Sequence, residues 1–166
     1  VAPGPGGPEG HVNARFLQAL ANYWPLGVSV ITAGGSPMND EGVPLADMTG
    51  WQYYSIGVTG ADGNHNTRLS KFSAWCLTQI RDRKPGILFA KSINRIVYWL
   101  TGTGIKMFAW RYTASRILRK ELKVHPGAIV YSRALPFESI LAAGVVRKAQ
   151  PFPWLVNIND PLPPDV

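Results

Sequence analysis

Three histidines and one cysteine are the residues of this chain best suited to acid–base, nucleophilic or metal chemistry. His11, His65 and His125 lie far apart, each beside Gly, Asn or Pro, so loop histidines without a function are the better interpretation. Cys76 falls on the apolar stripe of a predicted helix with no adjacent histidine, so we expect it in the core. These residues predict no catalytic site, no metal site and no enzyme.

Two loops carry residue types that bind phosphate or cations in other proteins. The run TGTGIK at 101–106 lacks the spacing and the final hydroxyl of a phosphate-binding loop, so it predicts a glycine turn. A Gly- and Pro-rich loop carries Asp40, Glu41 and Asp47, which match no calcium-binding pattern and are better suited to contact with a neighbouring protein. Neither loop predicts a cofactor or a small-molecule substrate.

Charge is unevenly distributed along the 166 residues, which carry a net charge of +7. Residues 1–67 contain one basic and five acidic residues, a net charge of −4. Residues 68–148 contain the other sixteen basic residues and three acidic ones, a net charge of +13, and the last eighteen residues carry −2. In one folded domain this segregation predicts a basic surface beside an acidic one, which suits a polyanion partner or head-to-tail packing of identical subunits.

The strongest candidate for a functional surface is a basic helix predicted at 112–123. One side of it carries cations three and four residues apart, which could neutralise several phosphates or face an acidic loop of a neighbouring subunit. A solvated helix face explains the same spacing. The predicted interface or polyanion-binding residues are Arg111, Arg116, Arg119, Lys120 and Lys123, and their predicted acidic complement is Asp40, Glu41 and Asp47.

Periodicity predicts an α+β fold, with a small, mainly antiparallel sheet of about four to six strands flanked by two or three helices. Capping residues, apolar stripes and terminal Pro or Gly predict helices at 12–24, 67–83 and 112–123. Alternation and β-branched residues predict strands at 28–32, 51–59, 86–90, 93–100, 128–133 and 152–158. The segment 134–151 shows neither pattern clearly.

Length and composition predict one domain at 11–159, in which a basic insertion spans about 92–123. Pro and Gly dominate the ends, 1–10 and 160–166, which we expect to be flexible arms that become ordered only in an assembly. The first ten residues show no secretory signal, and the longest uncharged stretch, 16–39, is interrupted by polar residues, Gly and Pro. We therefore expect neither export nor a membrane span.

The order of segments between 42 and 86 resembles that of tail-terminator proteins of long-tailed phages that infect actinobacteria. The segments that carry the resemblance are GVPLAD at 42–47, YYSIGVTG at 53–60, the helix that contains Trp75, and RDRKPG at 81–86. They cover about a quarter of the chain. The basic insertion at 92–123 has no counterpart in this resemblance.

The resemblance implies a non-enzymatic virion component, with a small sheet flanked by helices, in a ring that is commonly a hexamer at the head-proximal end of the tail tube. It implies other neck and tail proteins as partners, and assembly in the cytoplasm of the host bacterium. Head-closure and tail-completion proteins are competing interpretations. The alternative from charge is a nucleic-acid-binding module of ribosomal or nucleoid type, although no specific nucleic-acid signature accompanies the basic helix.

Overall fold

A computed structural model describes residues 16, 17, 19, 20, 22, 23, 27–33, 50–57, 67–133 and 137–157. In chain order its elements are strands β1 (Ser29–Ala33) and β2 (Gln52–Ile56), helices α1 (Arg68–Arg81), α2 (Ile87–Thr101) and α3 (Ile105–Val124), strand β3 (Val130–Arg133), helix α4 (Glu138–Ala149) and strand β4 (Trp154–Asn157). The six described positions between 16 and 23 are also helical. Both predicted arms and the predicted acidic loop lie outside the described residues.

The predicted fold, an α+β domain with one small, mainly antiparallel sheet flanked by two or three helices, is wrong. Helix predominates in the described residues, and the strands form two separate two-stranded sheets, β1–β2 and β3–β4, each of them parallel. Parallel neighbours need a crossover connection, and α4 supplies it between β3 and β4, which makes β3–α4–β4 a βαβ unit. The sequence does not reveal this crossover clearly, because α4 buries only Ala142, Ala143 and Val146 rather than a stripe of large residues.

The strands predicted at 86–90 and 93–100 are also wrong, because this segment forms the single helix α2. Val, Ile, Tyr and Trp are abundant there, but their strand preference depends on packing context more than on the backbone. Ala90 and Val97 lie on the face of α2 that packs with α1 and α3. Gly102, in the left-handed region at φ 72°, then ends the helix.

The other element predictions are confirmed. The helix predicted at 67–83 is α1, and the basic helix predicted at 112–123 is the second half of α3. Strands β1 to β4 lie at the four remaining predicted strand positions, with bounds that differ from the expected ones by up to three residues. Local sequence patterns therefore predict the positions of most helices and strands. The direction in which the strands pair depends on the connections between them, which those patterns do not show.

Helix α3 lies at the centre of the fold and packs against the other three helices and both strands of the first sheet. Trp110 on α3 packs with Ile56 of β2, and Leu122 packs with Val146 of α4 and with Phe152. Other elements cover most sides of α3. The side chains of α3 that stay exposed are therefore candidates for contact with a partner.

Small side chains let α1 approach α3. The Thr67 hydroxyl caps α1 by accepting a hydrogen bond from the Ser70 N–H at 3.1 Å, and it lies 3.0 Å from the Thr113 hydroxyl on α3. Ser70 and Ser73 on α1 are fully buried, as is Ala109 on α3. The start of α1 is thereby fixed beside the middle of α3.

Candidate functional site

Of the three histidines and one cysteine, the structure describes His125 and Cys76. Among the described residues, no group of three or more His, Cys, Asp or Glu side chains is placed to hold a metal ion. His125 is exposed at the end of α3, and His11 and His65 lie outside the described residues. Cys76 is fully buried, and burial raises the pKa of its thiol, which disfavours the nucleophilic thiolate.

The turn at 101–106 joins α2 to α3, and the predicted glycine turn is confirmed. Asn94 Oδ1 on α2 accepts a hydrogen bond from the Ile105 N–H at 2.9 Å. This side chain satisfies one of the backbone donors that a helix leaves free at its first turn. The glycines of the turn therefore serve the connection between two helices.

A hydrogen-bonded carboxylate joins α3 to the first sheet. Ser29 Oγ donates to Glu121 Oε2 at 2.6 Å, and Tyr54 Oη donates to Glu121 Oε1 at 2.7 Å. Partial burial would raise the pKa of Glu121, but the two hydrogen bonds and the nearby charges of His125 and Lys120 outweigh it and lower that pKa. The pKa of Tyr54 rises to about 12, first through burial and then through its contact with Glu121. This carboxylate holds β1 and β2 against α3.

Four of the five predicted basic residues share one exposed face of α3, which we call the basic stripe: Arg116, Arg119, Lys120 and Lys123. Within the described ranges no carboxylate forms an ion pair with any of them. Arg111 lies apart, because it is partly buried and its guanidinium stands 5.5 Å from the centroid of the Phe108 ring. The predicted acidic complement, at 40–47, is not among the described residues, so that contact stays a prediction.

The basic stripe continues a helix face that is buried in the first half of α3. Ile105, Ala109 and Thr113, spaced four residues apart, are buried, and the next positions at helical spacing carry Arg116 and Lys120. Helix α1 begins at the level of Thr113 and does not extend over the stripe. One face of α3 therefore changes from packing with helices to displaying charge.

A second surface was not predicted, because 93–100 has the composition of a strand. We call it the apolar surface, and it consists of large exposed side chains on α1 and α2: Phe72, Trp75, Leu88, Phe89, Ile96, Tyr98, Trp99 and Leu100. Trp99 is 84% exposed and Leu88 is 76% exposed. The last residues of α2, with Arg95, line a shallow depression in it. Soluble monomers rarely expose so many large apolar side chains together.

Aromatic contacts connect the two helices within the apolar surface. Phe72 and Trp75 stack with their ring centroids 5.9 Å apart and an interplanar angle of 18°. Trp75 also meets Phe89 of α2 edge to face, with the centroids 6.3 Å apart. Each ring limits the rotation of its neighbour, so part of this surface is ordered before any partner binds.

No protein-family model matches this chain, and no curated protein or solved structure matches it either. None of the helices that the structure describes is both long enough and apolar enough to cross a membrane. The basic stripe and the apolar surface are the two features of the described residues that indicate contact with a partner.

Proposed function

We propose that this protein is a non-enzymatic structural subunit that assembles with copies of itself into a closed ring through the apolar surface. In its specific form, the ring belongs to the head–tail junction of a phage, as a tail terminator or a related neck or tail-completion protein. The observation that carries the proposal is the exposure of eight large apolar side chains on α1 and α2.

The composition of the apolar surface is typical of a subunit interface. Trp and Tyr dominate the residues that contribute most to protein binding, and Trp99 and Tyr98 are both exposed here. Full burial of one large apolar side chain contributes about 1.5–3 kcal/mol. The eight side chains are already partly buried, with exposed fractions from 38% to 84%, so burial of all their remaining surface contributes about 7–14 kcal/mol. This is comparable to the cost of association, which is about 4–15 kcal/mol in lost freedom of motion.

Charge favours a head-to-tail contact over a two-fold one. Lys91 and Arg95 are exposed on α2 among the apolar residues, and a two-fold contact centred there would bring like charges together. A head-to-tail contact can instead place them against the acidic residues of 1–67, which carry a net charge of −4. Head-to-tail contacts form rings when the rotation between subunits closes.

The phage form of the proposal is supported by the resemblance at 42–86. Its helix corresponds to α1, which carries Trp75 and ends at Arg81, and the turn with RDRKPG follows directly. The strand of the resembling segment YYSIGVTG corresponds to β2. The parallel pairing of β2 with β1 was not expected, and GVPLAD lies outside the described residues.

Native mass spectrometry of the nuclease-treated protein at moderate salt is expected to show one discrete closed oligomer that contains no nucleic acid. The reason is that a heterologous contact that closes gives a single stoichiometry. A persistent monomer that shifts DNA or RNA would contradict the ring and favour the nucleic-acid-binding module.

Gene order separates a phage ring from any other ring. The proposal expects this gene between those for head connectors and the major tail tube. A position among genes unrelated to virion assembly would contradict the phage form and leave the ring itself in place.

A further inference from the structure

We infer that the basic stripe binds the phosphate backbone of a nucleic acid. The stripe lies on α3, whereas the apolar surface lies on α1 and α2. Its function therefore does not depend on ring formation through the apolar surface.

Helices α3 and α4 run parallel, which brings their C-terminal cations to the same end of the molecule. Ser115 Oγ on α3 donates to the Ala142 carbonyl, and further along both helices the Gln150 amide donates to the Leu122 carbonyl, each at 3.2 Å. The last turn of α4 therefore lies beside the last turns of α3. The two exposed cations of that turn do not join the stripe, because Arg147 stands over the Trp154 ring on the side where the second sheet packs, and Lys148 lies on the side of α4 opposite the buried Val146. They add positive charge to the same end of the molecule.

The density of cations along the stripe matches the density of phosphates along one nucleic-acid strand. An α-helix rises about 1.5 Å per residue, so Arg116 and Lys123 are about 10 Å apart along the axis. Over that length one strand of B-DNA carries about three phosphates, one per 3.4 Å or so. Four cations are therefore sufficient to neutralise a single strand that passes along the stripe.

An aromatic ring positions one guanidinium group of the stripe. Arg116 lies 6.0 Å from the centroid of the Tyr112 ring. A guanidinium that is already restrained loses less side-chain entropy when it binds, and its planar donors match two phosphate oxygens at once.

The stripe lacks the apolar centre of a protein interface. Between Arg116 and Lys123 the exposed residues of α3 are all cations. Glu121 does not neutralise them by an ion pair, since Ser29 and Tyr54 hold its carboxylate against the first sheet. Protein interfaces are centred on desolvated apolar side chains, whereas a phosphate backbone is bound by charge and hydrogen bonds. These features favour a nucleic acid over an acidic protein.

The test compares two triple variants of the full chain that lose the same charge. The stripe variant carries Arg116→Gln, Arg119→Gln and Lys120→Gln. The control carries Arg81→Gln at the last residue of α1, and Arg83→Gln and Lys84→Gln in the turn that follows. Fluorescence anisotropy measures the binding of each to a random-sequence DNA duplex over a range of salt. The stripe variant is expected to bind about tenfold more weakly or worse, and its log–log salt slope to be shallower by about 2.7, since each contact contributes about 0.9. The control is expected to stay within about threefold of the unaltered protein.

Equal losses of DNA affinity in the two variants would mean that binding depends only on net charge, and would overturn the assignment. An unaltered protein that does not bind the duplex would overturn it too. Circular dichroism is expected to show both variants folded, because exposed charges contribute little to stability. Native mass spectrometry on the same samples distinguishes ring assembly through the apolar surface from nucleic-acid binding by the stripe. A stripe variant that assembles but no longer binds DNA supports the assignment, whereas one that binds DNA normally but no longer assembles makes the stripe a subunit interface.

Discussion

Replacement of Ile96 and Trp99 by Asp is expected to convert the proposed ring into a monomer. Both side chains are exposed on α2, so the fold of the single chain does not depend on them. In the ring they would be buried, and an unpaired carboxylate in an apolar contact costs several kcal/mol. Sedimentation velocity is expected to show the monomer alone. Urea unfolding of the variant is expected to give a free energy of unfolding within about 0.5 kcal/mol of that of the unaltered monomer.

A matched control introduces the same chemistry elsewhere on the molecule. Val145→Asp and Leu155→Asp replace apolar residues that are exposed on α4 and β4, outside the apolar surface. This control is expected to assemble normally. If it disperses as readily as the α2 variant, or if the α2 variant stays assembled, then the apolar surface is not the contact between subunits.

Replacement of Glu121 by Ala is expected to lower the free energy of unfolding at neutral pH by about 2 kcal/mol, because two hydrogen bonds to a charged acceptor are lost. The pKa of Glu121 is lower in the folded protein than its ordinary value of 4.5. Its contribution is therefore complete above the unfolded-state pKa, and it is lost as the pH falls through the lower folded-state pKa. Urea unfolding over a series of pH values measures this difference.

Tyr54→Phe tests one of the two hydrogen bonds to Glu121 by itself. It removes one of the two hydrogen bonds and keeps the ring, so the expected loss is about 1 kcal/mol. The difference between Glu121→Ala and the unaltered protein should shrink below about pH 4.5, where the unfolded carboxyl begins to take up its proton. A difference that stays constant into acid would show that the contribution is not electrostatic.

The parts of the fold that the sequence predicts are those determined by near neighbours in the chain. The sequence predicts a capping residue at Asn66, one position before the actual cap Thr67, and Pro85 and Gly86 follow the end of α1, so both limits of this helix can be located to within about two residues. The cations of the basic stripe are likewise three or four residues apart, and one helix is enough to bring them onto one face. Such features depend on backbone period alone.

The features that could not be predicted depend on contacts between distant residues. Glu121 is 92 residues from Ser29 and 67 from Tyr54, and no local pattern joins them. The identity of α2 is decided by packing against α1 and α3, since its Val, Ile and aromatic residues suit a strand equally well. The apolar surface could not be predicted for the same reason. Its residues lie together only when this segment is helical.

Hydroxyl-radical footprinting of the assembled protein against its diluted monomer tests assembly through the apolar surface most directly, because it reports the solvent access of individual side chains. Tyr98 and Trp99 are expected to lose most of their labelling when the ring forms. Tyr112, which is exposed beside the basic stripe, is expected to keep its labelling and serves as the internal reference. Equal labelling of Trp99 in the ring and in the monomer would contradict assembly through the apolar surface.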